Sequence, residues 1–461
     1  MKKAAFIFSL GLLLGFFTAN PIKNMQVLLS SPKQANGAAE AWDTFTNQIN
    51  QVGHRILESD FPNDSDRDRA EGIRQLAHMI SEGIRWEFDN ASSEFTHLQV
   101  TNTDITGWGG PNVDNKYLRG RIDDTSTYLL RGNIKGLKQV AIQVHQGDLH
   151  MGQMGVSRTI DIDDLDVDEN GDFEIYIGPQ SLGSDRLQTS EGDTILSIRL
   201  YHTDWSDYPH SRLYLTNLDA IGKSPGLLTE AQAVQRLLNA GHWIETNLLG
   251  WNTWMKAATA LYTDNEAGKA HGVLGGSSSM TYGGIPFQLQ SDEAMIIEME
   301  DPQADYFSIQ TYNYAWFDAG DYANRITSLN MDQLQVLPNG KMVFVIADKD
   351  PGIQNWLDSE GRSRALLAYR MMNPKNSNFI NNLTDPAIDL KEQYLGKLKF
   401  IFSEALVDLF GTKYFVLSVD DFQKNNFNSS ILSVESKPEF INTKDFRNRI
   451  DSIPISADNA C

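Results

Sequence analysis

The stretch DPQADYFSIQTYNYAWFDAGDYANRITSLN, residues 301–330, decides the reading of this chain together with MVFVIADKDPGIQNWLDSEGRSRALLAYRMMN, residues 342–373. Two runs in it, Tyr306–Tyr314 and Met342–Ala347, carry the aromatic and β-branched residues that suit a pleated, half-buried surface. Polar residues cluster between and after them: Gln310, Asn313, Asn324, Arg325, Asn330, Asp348, Asp350, Asn355, Asp358 and Arg370. Ordinary surface loops favour Lys, Glu, Ser and Gly, whereas Asn, Arg and Asp fix hydrogen-bond geometry. The composition predicts a polar network built on a β-scaffold. Asn324, Arg325, Asp348, Asn355, Trp356 and Asp358 are its candidate ligand contacts. Arg325 would clamp a carboxylate or sulfate, and Trp356 would stack on a ring or sugar face. The competing reading pairs Arg325 with Asp348 or Asp358 and has Trp356 filling the end of a β-sandwich. Under either reading Asn324, Arg325, Asn355 and Asp358 should converge, because such groups are costly to bury alone.

Upstream, the pattern is also β. Tyr117–Ile122, Thr127–Arg131, Gln139–His145, Thr159–Asp163, Asp172–Ile177 and Thr194–His202 read as short strands bounded by turn residues, which predicts a sandwich or barrel. Tyr117, Arg119 and Arg121 alternate along the first of them, as an anion clamp or as a strand face paired with Asp114 and Asp123. In Asp161–Glu174, residues Asp166, Asp168, Asn170 and Gly171 match the start of a helix–loop–helix calcium loop. Ile177 stands where that loop needs its bidentate Glu, and the residues that follow alternate like a strand, so an Asn-Gly hairpin turn is the preferred reading.

Helical periodicity brackets these regions. Ala38–Glu58 places Trp42, Phe45, Ile49, Val52 and Ile56 on one face, and a second helix starts at a cap within Asp64-Ser65-Asp66. Thr229–Leu249, continued by Trp251 and Trp254, reads as a helical bridge. Gly275–Gly284 reads as a flexible or tightly turning loop, Glu293–Glu300 as a strand and Gln393–Phe410 as a helix. The chain beyond Asp420 reads as a loosely held tail.

Composition excludes several function classes. Asp plus Glu outnumber Lys plus Arg by 60 to 39, a net charge of −21 that repels nucleic-acid phosphate and anionic lipid. A lone cysteine, Cys461, permits no intramolecular disulfide, and its place as the last residue reads as a tail thiol and not as a nucleophile with a base in reach. No dinucleotide fingerprint, phosphate loop, Gly-x-Ser-x-Gly elbow or His-Glu-x-x-His helix is present, and the reading assigns no metal and no cofactor. The nine histidines are scattered, and His145-Gln-Gly-Asp-Leu-His150 is their densest group. It reads as a polar or metal-ligand pair, or as a strand end with solvated imidazoles. Lys2 and Lys3 precede an apolar run, Ala4–Ala19, the layout of an export signal or a short anchor. No later run is long and apolar enough to span a bilayer.

The runs DYFSIQTYNYAWFDAGDYANRITSLN and ADKDPGIQNWLDSEGRSRALLAYRMM resemble the C-terminal domain of the bacterial proteins called domain of unknown function 1214. GPNVDNKYLRGRIDDTSTYLLRGN and ENGDFEIYI resemble the N-terminal half of the family's long members. The resemblance spans residues 71–373 and implies a mostly β, jelly-roll-like architecture with no assigned chemistry.

The expectation is a mainly β, α+β protein of two sandwich-like parts. Its segments are a signal or anchor at 1–19, a linker at 20–37, a helical cover at 38–97 and a β-rich domain at 98–222. A helical bridge at 223–265 leads to a jelly-roll-like domain at 266–373, then a helix and tail at 374–461. The functional expectation is an exported, periplasmic or extracellular protein that binds a small polar or amphipathic molecule, sugar- or lipid-derived. An envelope hydrolase using the same carboxylates and arginine is the second reading, and a structural envelope protein the third. Catalytic residues and oligomeric state are left unassigned.

Overall fold

The computed structural model describes residues 27, 30–58, 61, 65–103, 106–152, 155–179, 186–206, 211–261, 264–265, 279–376 and 413–418. The expected signal at Lys2–Ala19, the helix at Gln393–Phe410, the tail beyond Asp420 and Cys461 lie outside them. The architecture is mainly β with a few helices, and the chain divides into two compact units.

The first unit comprises residues 1–258, 273–278 and 315–318. Helix α1 (Ala38–Leu57) and helix α2 (Asp66–Ile84) open it, and Ser65 caps α2 by accepting the Asp68 amide at 3.1 Å. Nine strands follow: β1 (Gln99–Thr101), β2 (Asn115–Arg121), β3 (Tyr128–Asn133), β4 (Gln139–Gln146), β5 (Gly155–Asp161), β6 (Asp172–Gly178), β7 (Arg186–Gln188), β8 (Ile195–Tyr201) and β9 (Leu213–Asn217). They form one sheet in the order β1-β2-β8-β4-β5 and another in the order β7-β6-β3-β9. Alternation along the strands explains the layers. Leu118 of β2, Val140, Ile142 and Val144 of β4, and Leu196, Ile198 and Leu200 of β8 join Leu130, Phe173, Ile175 and Ile177 of the other sheet in one apolar cluster. Helix α3 (Glu230–Leu261) packs Trp243, Ile244 and Leu248 against Phe45, Val52, Met79 and Trp86 in a second cluster. The expected bridge is therefore built into the first unit along most of its length. Trp243 and Leu248 extend its apolar stripe, so burying them against α1 and α2 outweighs leaving it a free connector.

The Asn-Gly turn forms as a hairpin. Asp168 and Asp172 pair through Asp168 N–H to the Asp172 carbonyl at 3.0 Å, and β6 is a strand where a calcium motif requires a helix. The Asp168 carboxylate accepts the Asn170 and Asp172 amides at 2.8 and 2.9 Å, which spends it on the turn.

The second unit holds β10 (Met280–Gln288), β11 (Glu293–Glu300), β12 (Tyr306–Asn313), β13 (Ser328–Asn330), β14 (Lys341–Ala347), β15 (Trp356–Asp358), β16 (Arg364–Met372) and β17 (Lys413–Ser418). Its sheets run β10-β16-β12-β13 and β15-β14-β11-β17, and Ile285, Phe287, Met295, Ile309, Phe344 and Leu367 are among the side chains filling the space between them. Three differences from the sequence reading stand out. Gly283 and Gly284, expected in a loop, lie inside β10, where Gly283 makes room for the ring of Tyr369 on β16. Arg364–Met372, of which the sequence reading named only Arg370 as a polar residue, is the central strand between β10 and β12. Lys413–Ser418, expected to belong to a helix and tail, pairs antiparallel with β11, as its Tyr-Phe-Val-Leu run suits.

Candidate functional site

Helix α2 ends in a widened turn, Arg85–Asp89, closed by an Asn90 amide bond to the Arg85 carbonyl at 3.1 Å. Such i→i+5 turns rotate side chains off the regular helical face. Here the turn delivers Trp86 and Glu87 to the sheet. On β2, Leu118 and Gly120 face the sandwich core, so Arg119 and Arg121 project from the other side, under the helical layer. Trp86 lies between them, with the Arg119 guanidinium 4.6 Å and the Arg121 guanidinium 4.3 Å from its ring centre.

Each arginine has its own carboxylate. Arg119 donates to Asp148 at 3.0 Å and Arg121 to Glu87 at 2.5 Å, with all four side chains largely buried. His150 joins the pairs, Nε2 lying 3.1 Å from Glu87 Oε1 and Nδ1 3.8 Å from Asp148 Oδ2. From α3, His242 Nε2 donates to the His150 carbonyl at 2.8 Å, and Trp243 Nε1 points at Asp148 at 3.4 Å. The result is a chain of neighbouring groups, Arg119–Asp148–His150–Glu87–Arg121, bonded throughout except for the 3.8 Å gap between Asp148 and His150 Nδ1, set between sheet and helices.

Burial by itself would raise both carboxylates. For Glu87, the hydrogen bond from His150 and the charge of Arg121 outweigh it, so the group stays below its usual range. For Asp148, Arg119, His150 and the Leu149 amide do the same, and the depression is large. Burial lowers His242, partly offset by its bond to the His150 carbonyl. Burial and the charges of Arg199 and Arg119 push His145 down to about 3.

A cavity of about 430 Å³ opens on this chain, with Glu87, Arg121, His150 and His242 on its wall and Ser31, Met151 and Asn239 among the residues around it. The volume falls within the range of small-molecule sites. Among the described residues, no group of three or more His, Cys, Asp or Glu side chains is arranged to hold a metal ion.

The residues predicted from sequence fall in two places. Arg119 and Arg121 are in the buried chain, and Arg121 reaches the cavity. Tyr117 is next along the same face, its hydroxyl accepting the Asn112 amide at 2.8 Å. In the second unit Arg325 and Asp358 meet at 2.8 Å. Asn324 and Asn355 make their hydrogen bonds to other residues. Asn324 turns to Asp321 at 2.9 Å. Asn355 accepts the Gln335 amide at 2.7 Å and donates to the Gln335 carbonyl at 2.8 Å. Trp356 Nε1 donates to the Ala347 carbonyl at 3.0 Å, while Asp348 is half-buried beside Gly361. Asn324 is thus spent on a side chain three residues away, and Asn355 on the backbone of a loop twenty residues away. Glu87, Asp148 and His242 were not picked out from sequence. The one legible signal was the His145–His150 run, which contains Asp148.

No family model and no curated relative matches the sequence. Among solved structures, an uncharacterised protein from Burkholderia cenocepacia superposes with a TM-score of 0.69 at 19% identity, covering 82% of this chain and 97% of that one. At that identity the likeness establishes the fold alone. A Vibrio parahaemolyticus protein covers 72% of this chain and 96% of its own at a TM-score of 0.38 and 11% identity.

Proposed function

We propose that the protein binds a small polar molecule in the first unit, in the cavity walled by Glu87, Arg121, His150 and His242. One observation carries the reading: a cavity of about 430 Å³ opens onto buried, mutually paired charges. Placing such groups next to open space is costly unless they meet polar partners there. In the second unit the polar residues singled out from sequence spend their bonds on neighbouring protein groups, which favours a loop-pinning role for Arg325, Asn355 and Asp358.

The same proposal makes this an exported protein, carried by the charged and apolar segment Lys2–Ala19. The resemblance to domain of unknown function 1214 goes with that reading. No helix among the described residues is long and apolar enough to cross a membrane. Native mass spectrometry of the protein purified from producing cells tests the binding. A co-purifying small molecule retained by wild type and lost from Met151→Trp, which fills the cavity mouth, supports it. Equal ligand retention by the two proteins, or none by either after incubation with a metabolite extract, contradicts it. Fractionation tests export, and cytoplasmic residence of the full chain sinks that part.

A further inference from the structure

The charge balance of the cavity wall limits what can sit against it. Arg121 reaches the cavity already matched, 2.5 Å from Glu87, whose carboxylate also holds His150 Nε2 at 3.1 Å, and it donates to the Asn90 carbonyl at 3.3 Å. Behind them Arg119 and Asp148 cancel in the same way at 3.0 Å. An anion approaching Arg121 would also approach the Glu87 carboxylate, and its attraction to one is offset by its repulsion from the other. A cation meets the reverse. An apolar molecule would strip water from both groups and replace none of their bonds.

A hydroxyl group both donates and accepts. Unlike a planar carboxamide, whose donor and acceptor are separate atoms, a hydroxyl can meet a carboxylate and a guanidinium on the same wall through one atom and without bringing charge. His242 adds an acceptor. Its Nε2 donates to the His150 carbonyl at 2.8 Å, which leaves Nδ1 with a lone pair in the neutral ring that burial favours. Pro32 and Met151 supply apolar contact for C–H faces at the rim.

Building on the cavity reading above, we infer that the site takes a neutral, hydroxyl-rich molecule of the sugar or cyclitol class, and that Glu87 is the residue that turns anions away. The test compares shape-matched probes by saturation-transfer NMR and calorimetry on the full chain. D-glucose, trehalose and myo-inositol are set against D-glucuronate and D-glucose 6-phosphate. At least one neutral probe should bind wild type at least tenfold more tightly than either anion. Glu87→Gln keeps the shape, removes the charge and should narrow or reverse that ratio by at least tenfold. Met151→Lys, a substitution at an exposed rim position, supplies an unmatched cation and should move the ratio the same way, so the inference stays testable if Glu87→Gln fails to fold. Anions binding wild type as tightly as the neutral probes would overturn the class assignment and leave the cavity reading standing. An unchanged ratio in both variants would remove Glu87 from its role. Binding of no probe, with a co-purifying ligand that carries no hydroxyls, would also overturn the class, whereas binding of no probe and no co-purifying ligand would overturn both.

Discussion

Replacing Asp148 by Ala should be among the most damaging single changes in the first unit. The carboxylate takes the Arg119 guanidinium at 3.0 Å through one oxygen and the Leu149 amide at 2.8 Å through the other, capping the short turn Leu149–Met151. Breaking a buried ion pair from one side costs about 3–5 kcal/mol, because the remaining charge is left desolvated. Losing the cap adds about 1 kcal/mol. The sum, about 4–6 kcal/mol, corresponds to a fall in Tm of roughly 10–20 °C for a unit of this size. Asp148→Asn keeps the acceptor oxygen and should lose about half as much. The pH dependence gives an independent check. Burial raises the Asp148 carboxyl, but Arg119, His150 and the Leu149 amide depress it further than that, so its folded pKa lies below its unfolded one. Its stabilisation is therefore complete above about pH 4, near the unfolded Asp value, and is lost as the pH falls toward the folded value. Circular-dichroism melts of wild type and both variants should show the full gap between pH 5 and 7 and a narrowing gap below about pH 4. A loss under about 2 °C for Asp148→Ala, or a gap that does not change on acidification, would refute the assignment of a stabilising buried pair.

The remaining predictions use other parts of the chain. His145, pushed down to about 3 by burial and by Arg199 and Arg119, is neutral in the folded state, so wild type should lose stability as the pH falls from 6.5 toward 3. His145→Gln should flatten that part of a Tm–pH profile, and an unchanged slope counts against the burial argument. Gly171, at φ +89 with an added Cβ only 2.5 Å from Lys135 Cβ, should cost about 2 kcal/mol or more as Ala, read from urea melts. Gly192→Ala, at φ +88 with nothing near, should cost about 1–2 kcal/mol, and a larger loss at Gly192 than at Gly171 would contradict the contact term. Phe344→Ala in the second unit should cost about 3–5 kcal/mol, and a change under about 1 kcal/mol would mean the two sheets do not share that core.

Much of the fold was legible because strands announce themselves by alternation. Gln139–Gln146 and Glu293–Glu300 sit within a residue or so of where their patterns place them, or coincide with them. Arg364–Met372 escaped because it is buried on both faces and its Arg370 reads as a polar residue of a network instead of a strand position. The site was legible only in part. Arg119 and Arg121 show as alternate residues of one strand, but their partners come from the end of α2, the loop after β4 and the middle of α3. Glu87 looks like one more acid at a helix end, and His242 like a member of an apolar stripe. Nothing local marks them, since the contacts that define them span up to 92 residues of sequence.

The four residues Ala315–Asp318 count with the first unit although the chain has by then entered the second. Trp316 lies in the helical core, and Asn252 donates to the Ala315 carbonyl at 3.4 Å. During synthesis, then, the first unit cannot be completed when Ala258 leaves the ribosome. It must wait about sixty more residues, some 3–12 s at about 5–20 residues per second, with a tryptophan-sized gap in its helical core. A fragment ending near residue 261 carries that gap permanently, which makes it a poor choice for producing the cavity-bearing unit alone.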